Sequence, residues 1–302
     1  DDSGSMTMPR PEESRIPTLL SLGHGYTAGF LERHLPGWRI IGTTRDAAKA
    51  RAFVSRGVEP LLLPADLRPA MAVATHLLIS SAPGMEGDPF LVLAGEAIGK
   101  AAPHLAWVGY LSSTGVYGDH GGGWVDETTA PRATEGHRDR RLMAEQAWQT
   151  LAAQTGLPLH IFRLAGIYGP GRGPFEKLRA GTAHRIIKEG QVFCRIHVED
   201  AAEVLAASIA RPDPGAIYNV CDDLPAPPQD VVEAAARMAG LPVPPAVPFD
   251  EAEMTPMARA FYRDNRRGRN ERIKRDLGVT LRYPTYREGL ASLLSPSLAG
   301  LD

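Results

Sequence analysis

The sequence predicts an α/β protein: a doubly wound parallel sheet, followed by a smaller, mostly helical C-terminal lobe. Three observations carry this. Short apolar runs such as Thr18–Leu22, Leu105–Ser112 and Leu159–Leu164 alternate with amphipathic stretches of helical length, and strands that are apolar throughout belong to sheets covered on both faces. The first run ends in Gly23-His24-Gly25-Tyr26-Thr27-Ala28 and passes directly into an amphipathic segment, the pattern of strand, tight turn and helix start. From Asp222 the texture changes to proline-rich turns (Pro225, Pro227, Pro228, Pro242, Pro244, Pro245, Pro248) between short helices.

Composition narrows the class. At 302 residues, 43% hydrophobic and 23% charged, the chain can bury one large core or a two-lobed one. A net charge of -2 argues against a nucleic-acid partner, and no apolar run is long enough to span a membrane. Cys194 and Cys221 are the only cysteines, too few for a disulfide framework or a zinc site, so no metal is expected and both read as buried thiols of a cytoplasmic protein. The first fifteen residues are polar, lack the apolar stretch of a secretory signal, and are expected to be disordered.

In chain order, Trp38–Thr44 reads as the second strand, and Asp46 caps a helix running to about Arg56. Glu59–Leu63 is the third strand, followed by Pro64-Ala65-Asp66-Leu67; Thr75–Ser80 is the fourth, followed by Ser81-Ala82-Pro83-Gly84. Asp88-Pro89 opens a helix to about Ala102, with the acid at the cap and proline in the first turn. Leu105–Ser112 is the fifth strand, Gly136–Gln154 a helix after a long polar loop, and Leu159–Leu164 the sixth strand. Val198–Ala210 is a helix and Ala216–Val220 the seventh strand. The expected division is a disordered segment 1–15, a nucleotide-binding domain of 16–166 plus 196–222, and a substrate domain of 167–195 plus 223–302.

The glycine turn points to a dinucleotide. Gly23 permits the turn, Gly25 lets a pyrophosphate approach the backbone, and Ala28 lets the helix pack close, with Tyr26 and Thr27 supplying amides. NAD sites place an acid at the end of the second strand to hold the ribose diol; here that position reads Thr43-Thr44-Arg45, and hydroxyls followed by a guanidinium suit the 2′-phosphate of NADP better than NAD. Asp46 remains open as a ribose contact or a helix cap. Asp66 and Leu67 are candidates at the adenine, and Ser81, Ala82 and Pro83 at the cleft wall; each has loop punctuation as its competing reading.

Taken together, Gly23–Ala28, Tyr110-Leu111-Ser112-Ser113-Thr114-Gly115-Val116-Tyr117-Gly118, Phe162–Gly171, Ile196–Asp200 and Tyr218-Asn219-Val220 resemble the extended, epimerase-like branch of the short-chain dehydrogenase/reductase superfamily, in its order and spacing, over about residues 16–290. The resemblance implies a Rossmann fold, a nicotinamide cofactor, a nucleotide sugar or related hydroxyl or carbonyl compound as substrate, and a homodimer built from the helices near 89–102 and 136–154. Leu91, Leu93 and Ile98 on the first helix, with Leu142, Ala144 and Trp148 on the second, are the apolar residues expected at that dimer face. The resemblance also implies that Ser113, with Thr114 beside it, holds the reacting oxygen. The sequence departs from the family at its Tyr-x-x-x-Lys: the tyrosine position is His137 and the lysine position Arg141. Imidazole can move a proton near neutrality, whereas arginine can bind ribose or phosphate without exchanging one. The alternative for both is a solvated helix face. Tyr117, four residues after Ser113, is a second candidate for proton transfer, with packing as its other reading. Arg172, Lys177, Arg185 and Lys188 form a cation-rich stretch in the substrate lobe that suits a phosphate or carboxylate, with Arg172 and Arg185 the expected substrate contacts and a solvated surface the competing reading. Loss of the Tyr/Lys pair keeps open a second class of function, a non-catalytic NADP-binding sensor or scaffold.

Overall fold

A computed structural model describes residues 16–132 and 136–294, with backbone alone for 136–138. The expected disorder of residues 1–15 falls outside the described residues. The chain runs β1 (Thr18–Leu22), α1 (Tyr26–Leu31), β2 (Arg39–Thr44), α2 (Ala47–Ser55), β3 (Glu59–Leu62), α3 (Arg68–Val73), β4 (His76–Ile79), α4 (Pro89–Ala101), β5 (Trp107–Ser113), β6 (Trp124–Val125), α5 (Gly136–Thr155) and β7 (Leu159–Leu164). It continues through β8 (Gly166–Tyr168), α6 (Phe175–Arg179), β9 (Arg185–Ile187), β10 (Arg195–His197), α7 (Val198–Ala210), β11 (Ile217–Val220), α8 (Pro228–Met238), β12 (Ala246–Pro248), α9 (Pro256–Phe261), β13 (Arg267–Gly268), α10 (Glu271–Leu277) and α11 (Tyr286–Leu294).

Seven strands form one parallel sheet in the order β11-β7-β5-β4-β1-β2-β3, so the doubly wound α/β class is observed. Successive side chains of a strand face opposite ways, and the two cores show it. Leu20, Leu77 and Val108 pack with Ile98 of α4 and Trp148 of α5 on one face; Leu19, Leu78 and Trp107 pack with Leu31 of α1 and Val204 of α7 on the other. Because β4 lies beside β1 while β2 continues on its other edge, the chain reverses direction of winding between β1 and β4. In such sheets the crevice for a ligand opens there, beyond the carboxyl ends of the strands.

Phe175 and Leu178 of α6, Val231 and Ala235 of α8, and Tyr286 and Leu290 of α11 build a third core apart from the two that flank the sheet. One segment departs from the expected division: Ile273 and Leu277 of α10, with Val279 and Leu281, pack into the core of the large sheet rather than into the lobe of residues 223–302. Short pairings join distant segments, β8 with β10, β9 with β12 and β6 with β13. Of the apolar residues assigned to a dimer face, Ile98, Ala144 and Trp148 are corrected by the structure: they are buried under the protein's own sheet, where α4 and α5 need them. Leu93 is exposed on α4 together with Val92, and Met143 on α5.

Candidate cofactor and active site

The turn after β1 is held from beneath. The Gly23 amide donates to Thr43 Oγ1 at 2.7 Å, and the His24 amide to the Thr43 carbonyl at 3.0 Å. The buried His24 ring bridges Ser21 Oγ and Glu32 Oε1, both at 2.8 Å, with Phe53 edge-on to it at 5.0 Å. Gly42 is glycine for this reason: a Cβ there would stand 2.9 Å from His24 Cβ. Gly23 takes φ +77°, a conformation side chains resist, and its own missing Cβ would meet the Ser81 amide at 3.5 Å, so the ends of β1 and β4 lie against each other.

Gly25 precedes α1 with extended backbone and no side-chain cap, and it is exposed. The first-turn amides of Tyr26, Thr27 and Ala28 therefore have no intrahelical partner, a donor set that fits the phosphates of a dinucleotide. At the end of β2, Thr44 Oγ1 accepts the Asp46 amide at 3.1 Å, while the Asp46 carboxylate accepts from Ala48 and Lys49 and is thereby used as the cap of α2. Arg45 is exposed beside them. Asp66 is exposed and grips Arg68 through both oxygens, and Leu67 is buried at the edge of a groove of about 680 Å³ between α3 and α4.

On the other side of the crevice, Ser81 Oγ donates to Asp88 Oδ2 at 3.2 Å, and buried Asp88 caps α4 through the amides of Phe90 and Leu91. Burial pushes the Asp88 carboxyl above the ordinary carboxylate range, against those amide bonds. Ala82 is exposed and Pro83 half-buried in the loop that follows.

At the end of β5, Ser113 Oγ accepts the Gly115 amide at 3.0 Å. Its own O–H is thus available to an incoming oxygen. Thr114 is buried in the tight turn behind it. Arg141 reaches back from α5: its Nη1 donates to Leu111 O at 3.0 Å, Tyr110 Oη at 3.1 Å and Ser81 O at 3.3 Å. The guanidinium therefore spans the ends of β4 and β5. His137 lies in the first turn of α5, and its ring is outside the described residues.

Tyr117 is corrected. It is fully buried, its hydroxyl donates to Asn219 Oδ1 at 2.6 Å, and the Arg163 guanidinium lies 4.9 Å from its ring. Burial pushes the phenol up to about 12, with Arg163 opposing, so Tyr117 packs into the core and does not serve proton transfer. Sequence reasoning missed the network around it: Arg163 pairs with Glu145, which also accepts from Ser112 Oγ at 2.7 Å. A charged residue inside the apolar run Leu159–Leu164 was the available signal.

The two expected substrate arginines separate. Arg185 is held within its own lobe by Pro244 O at 2.8 Å and Glu233 at 3.7 Å. Arg172 lies over the ring of Tyr26, 4.2 Å from its centroid, and so stands at the glycine turn instead.

A sequence profile described as the NAD dependent epimerase/dehydratase family matches residues 96–221. Protein YeeZ of Escherichia coli K12 is 32% identical over 225 residues, 69% of this chain and 78% of that protein. A functionally unknown conserved protein from Silicibacter pomeroyi DSS is 59% identical, with a TM-score of 0.86 over 92% of this chain and 98% of that one. UDP-glucuronic acid 4-epimerase from Bacillus cereus, solved in complex with NAD, shares the fold at 14% identity, with a TM-score of 0.73 over 91% of this chain and 96% of that one.

Proposed function

This chain belongs to the NAD dependent epimerase/dehydratase family, within the extended short-chain dehydrogenases/reductases, and from that premise we propose that it binds NADP and acts as an oxidoreductase or epimerase-like enzyme on a nucleotide sugar or related hydroxyl or carbonyl compound. The observation that carries the reading is the crevice between β1 and β4: free first-turn amides on one wall, Arg45 exposed at the end of β2 with its neighbouring acid engaged as a cap, and the Ser113 hydroxyl free to donate beyond β5.

The nicotinamide, when bound, supplies hydride chemistry. The turn Gly23–Ala28 holds phosphate, Thr44 and Arg45 the 2′-phosphate, and Asp66 and Leu67 flank the adenine. Ser81, Ala82 and Pro83 line the crevice, and Arg141 fixes the strand ends beside the ribose while staying charged. Ser113 holds the substrate oxygen through its O–H. A hydroxyl carbon that loses hydride must also lose a proton; His137, which stands at the family's tyrosine position in the sequence, is the residue assigned to that step, since the Tyr117 hydroxyl is engaged by Asn219 in the core. The UDP-glucuronic acid 4-epimerase among its neighbours in fold supports a nucleotide sugar. The exposed Val92, Leu93 and Met143 support a homodimer through α4 and α5.

Titration with NADPH and NADH tests the assignment. NADPH is expected to bind more tightly, and Arg45→Ala to remove most of the preference, since one charge-assisted phosphate contact contributes about 1.5–3 kcal/mol. Equal affinities in the unaltered protein refute NADP. A second reading, a non-catalytic NADP-binding module, is favoured by the engagement of Arg141 Nη1 with three protein oxygens. It is the outcome if NADPH binds but no nucleotide sugar is turned over.

A further inference from the structure

We propose that Arg172 is a clamp from the smaller lobe onto the pyrophosphate of the dinucleotide, held in place by Tyr26. The proposal rests on the cofactor reading above and adds a residue from outside the nucleotide-binding unit to it.

The clamp is built before any ligand arrives. Tyr26 is the first residue of α1, and its amide is one of the free donors of the turn. Its hydroxyl reaches across to donate to Pro170 O at 2.7 Å. Gly169 permits that approach, because a Cβ there would stand 2.8 Å from Tyr26 Oη and 2.6 Å from Val198 Cγ1. The loop then closes on itself through Gly169 N to Arg172 O and Arg172 N to Gly169 O, both at 2.9 Å. The result sets the Arg172 guanidinium over the Tyr26 ring, its Cζ 4.2 Å from the centroid.

Arg172 is exposed, and among the described residues it makes no ion pair with a carboxylate. Glu199, the acid whose charge reaches Tyr26, is engaged by Arg282 at 3.4 Å and by the Tyr283 hydroxyl at 3.0 Å. A guanidinium stacked on an aromatic face keeps its N–H edge outward and loses little freedom when it meets an anion. The cation and the Tyr26 amide thus lie within one side chain's length of each other, at the turn assigned to the pyrophosphate. A substrate bound at Ser113, beyond β5, is served by a different strand end.

The test is calorimetric titration of the unaltered protein, Arg172→Ala, Arg172→Lys and Tyr26→Leu with NADPH, NADH, ADP, adenosine and a UDP-sugar, at low and high salt. Arg172→Ala is expected to raise Kd for NADPH, NADH and ADP by one common factor of about tenfold or more, to leave adenosine unchanged, and to weaken the salt dependence. Arg172→Lys keeps the charge but not the fork and falls between. Tyr26→Leu shows the same ligand pattern with a smaller loss. The side chain is exposed, so melting temperatures are expected to stay level; a drop in Arg172→Ala shifts the comparison to Arg172→Lys. Unchanged ADP affinity in the arginine variants, or a loss confined to the UDP-sugar, overturns the clamp while the cofactor reading stands. If the unaltered protein binds none of NADPH, NADH and ADP, the cofactor reading fails and the clamp with it.

Discussion

Replacing Asp222 with asparagine is expected to stabilise the protein at alkaline pH and to leave it unchanged in acid. Asp222 follows β11 and is buried; Oδ1 accepts the Leu224 amide at 3.0 Å, and Oδ2 has no partner. Burial pushes the carboxyl up to about 7, with Leu224 and Arg195 opposing and Asp223 and Asp200 adding to it. Asp223 is itself bound by Lys274 and Asn270, and Asp200 by the amides of Arg282 and Tyr283; the nearby Tyr168 hydroxyl is also buried without a partner. The folded pKa lies above the unfolded one. Between about pH 4 and 7 the folded protein therefore holds a proton that the unfolded chain has lost. Its contribution is complete below the unfolded value and disappears as pH rises through the folded one. About three pKa units at 1.36 kcal/mol each set a ceiling of about 4 kcal/mol. The asparagine side chain keeps an acceptor for the Leu224 amide and carries no charge. Urea unfolding from pH 4 to 8 should show the variant level with the unaltered protein at the acid end and more stable by up to ~4 kcal/mol at the alkaline end. A difference that does not grow with pH, or a variant less stable at pH 8, refutes the assignment of this carboxyl.

Three further outcomes can be measured directly. His137→Ala should cost on the order of 10²–10⁴ in turnover; an unchanged rate removes His137 from the mechanism. Glu145→Ala strands Arg163 in the core, and breaking a buried pair from one side costs about 3–5 kcal/mol, readable by denaturant unfolding. Light scattering should give the mass of a dimer, and Leu93→Asp with Met143→Asp that of a monomer, without loss of melting temperature; a monomeric mass for the unaltered protein ends the dimer proposal.

The central sheet was legible because its signals are local. Leu159–Leu164 is apolar enough to be a strand wherever it lies, and Asp46 and Asp88 announce their helices within three residues. The pairing of Gly166–Tyr168 with Arg195–His197 was not, since three residues carry no periodicity and the partner is fixed only by the finished fold. The stripe of Ile273 and Leu277 marks an amphipathic helix but not which core receives it. At the site, the residue types of the glycine turn predict a phosphate position without showing that Thr43 and His24 support the turn. Arg172 was recognisable as an anion-binding cation. Its place over Tyr26 depends on a contact spanning 144 residues, from Tyr26 to Pro170, that no local pattern encodes.

The support beneath the glycine turn also bears on the entropy of ligand capture. Glycine-rich segments have the most backbone freedom to lose, and fixing each residue costs about 1–2 kcal/mol in conformational entropy. In this chain Gly23 and His24 are already immobilised by Thr43, and the His24 ring is pinned between Ser21 and Glu32, which Arg56 holds in turn at 3.0 Å. That ordering is complete when the chain folds, so on the proposed cofactor reading a phosphate meets a turn that needs no rearrangement at Gly23 and His24. On that same reading, association at the turn resembles docking to a rigid surface, and the buried His24 contributes to affinity through the backbone it holds.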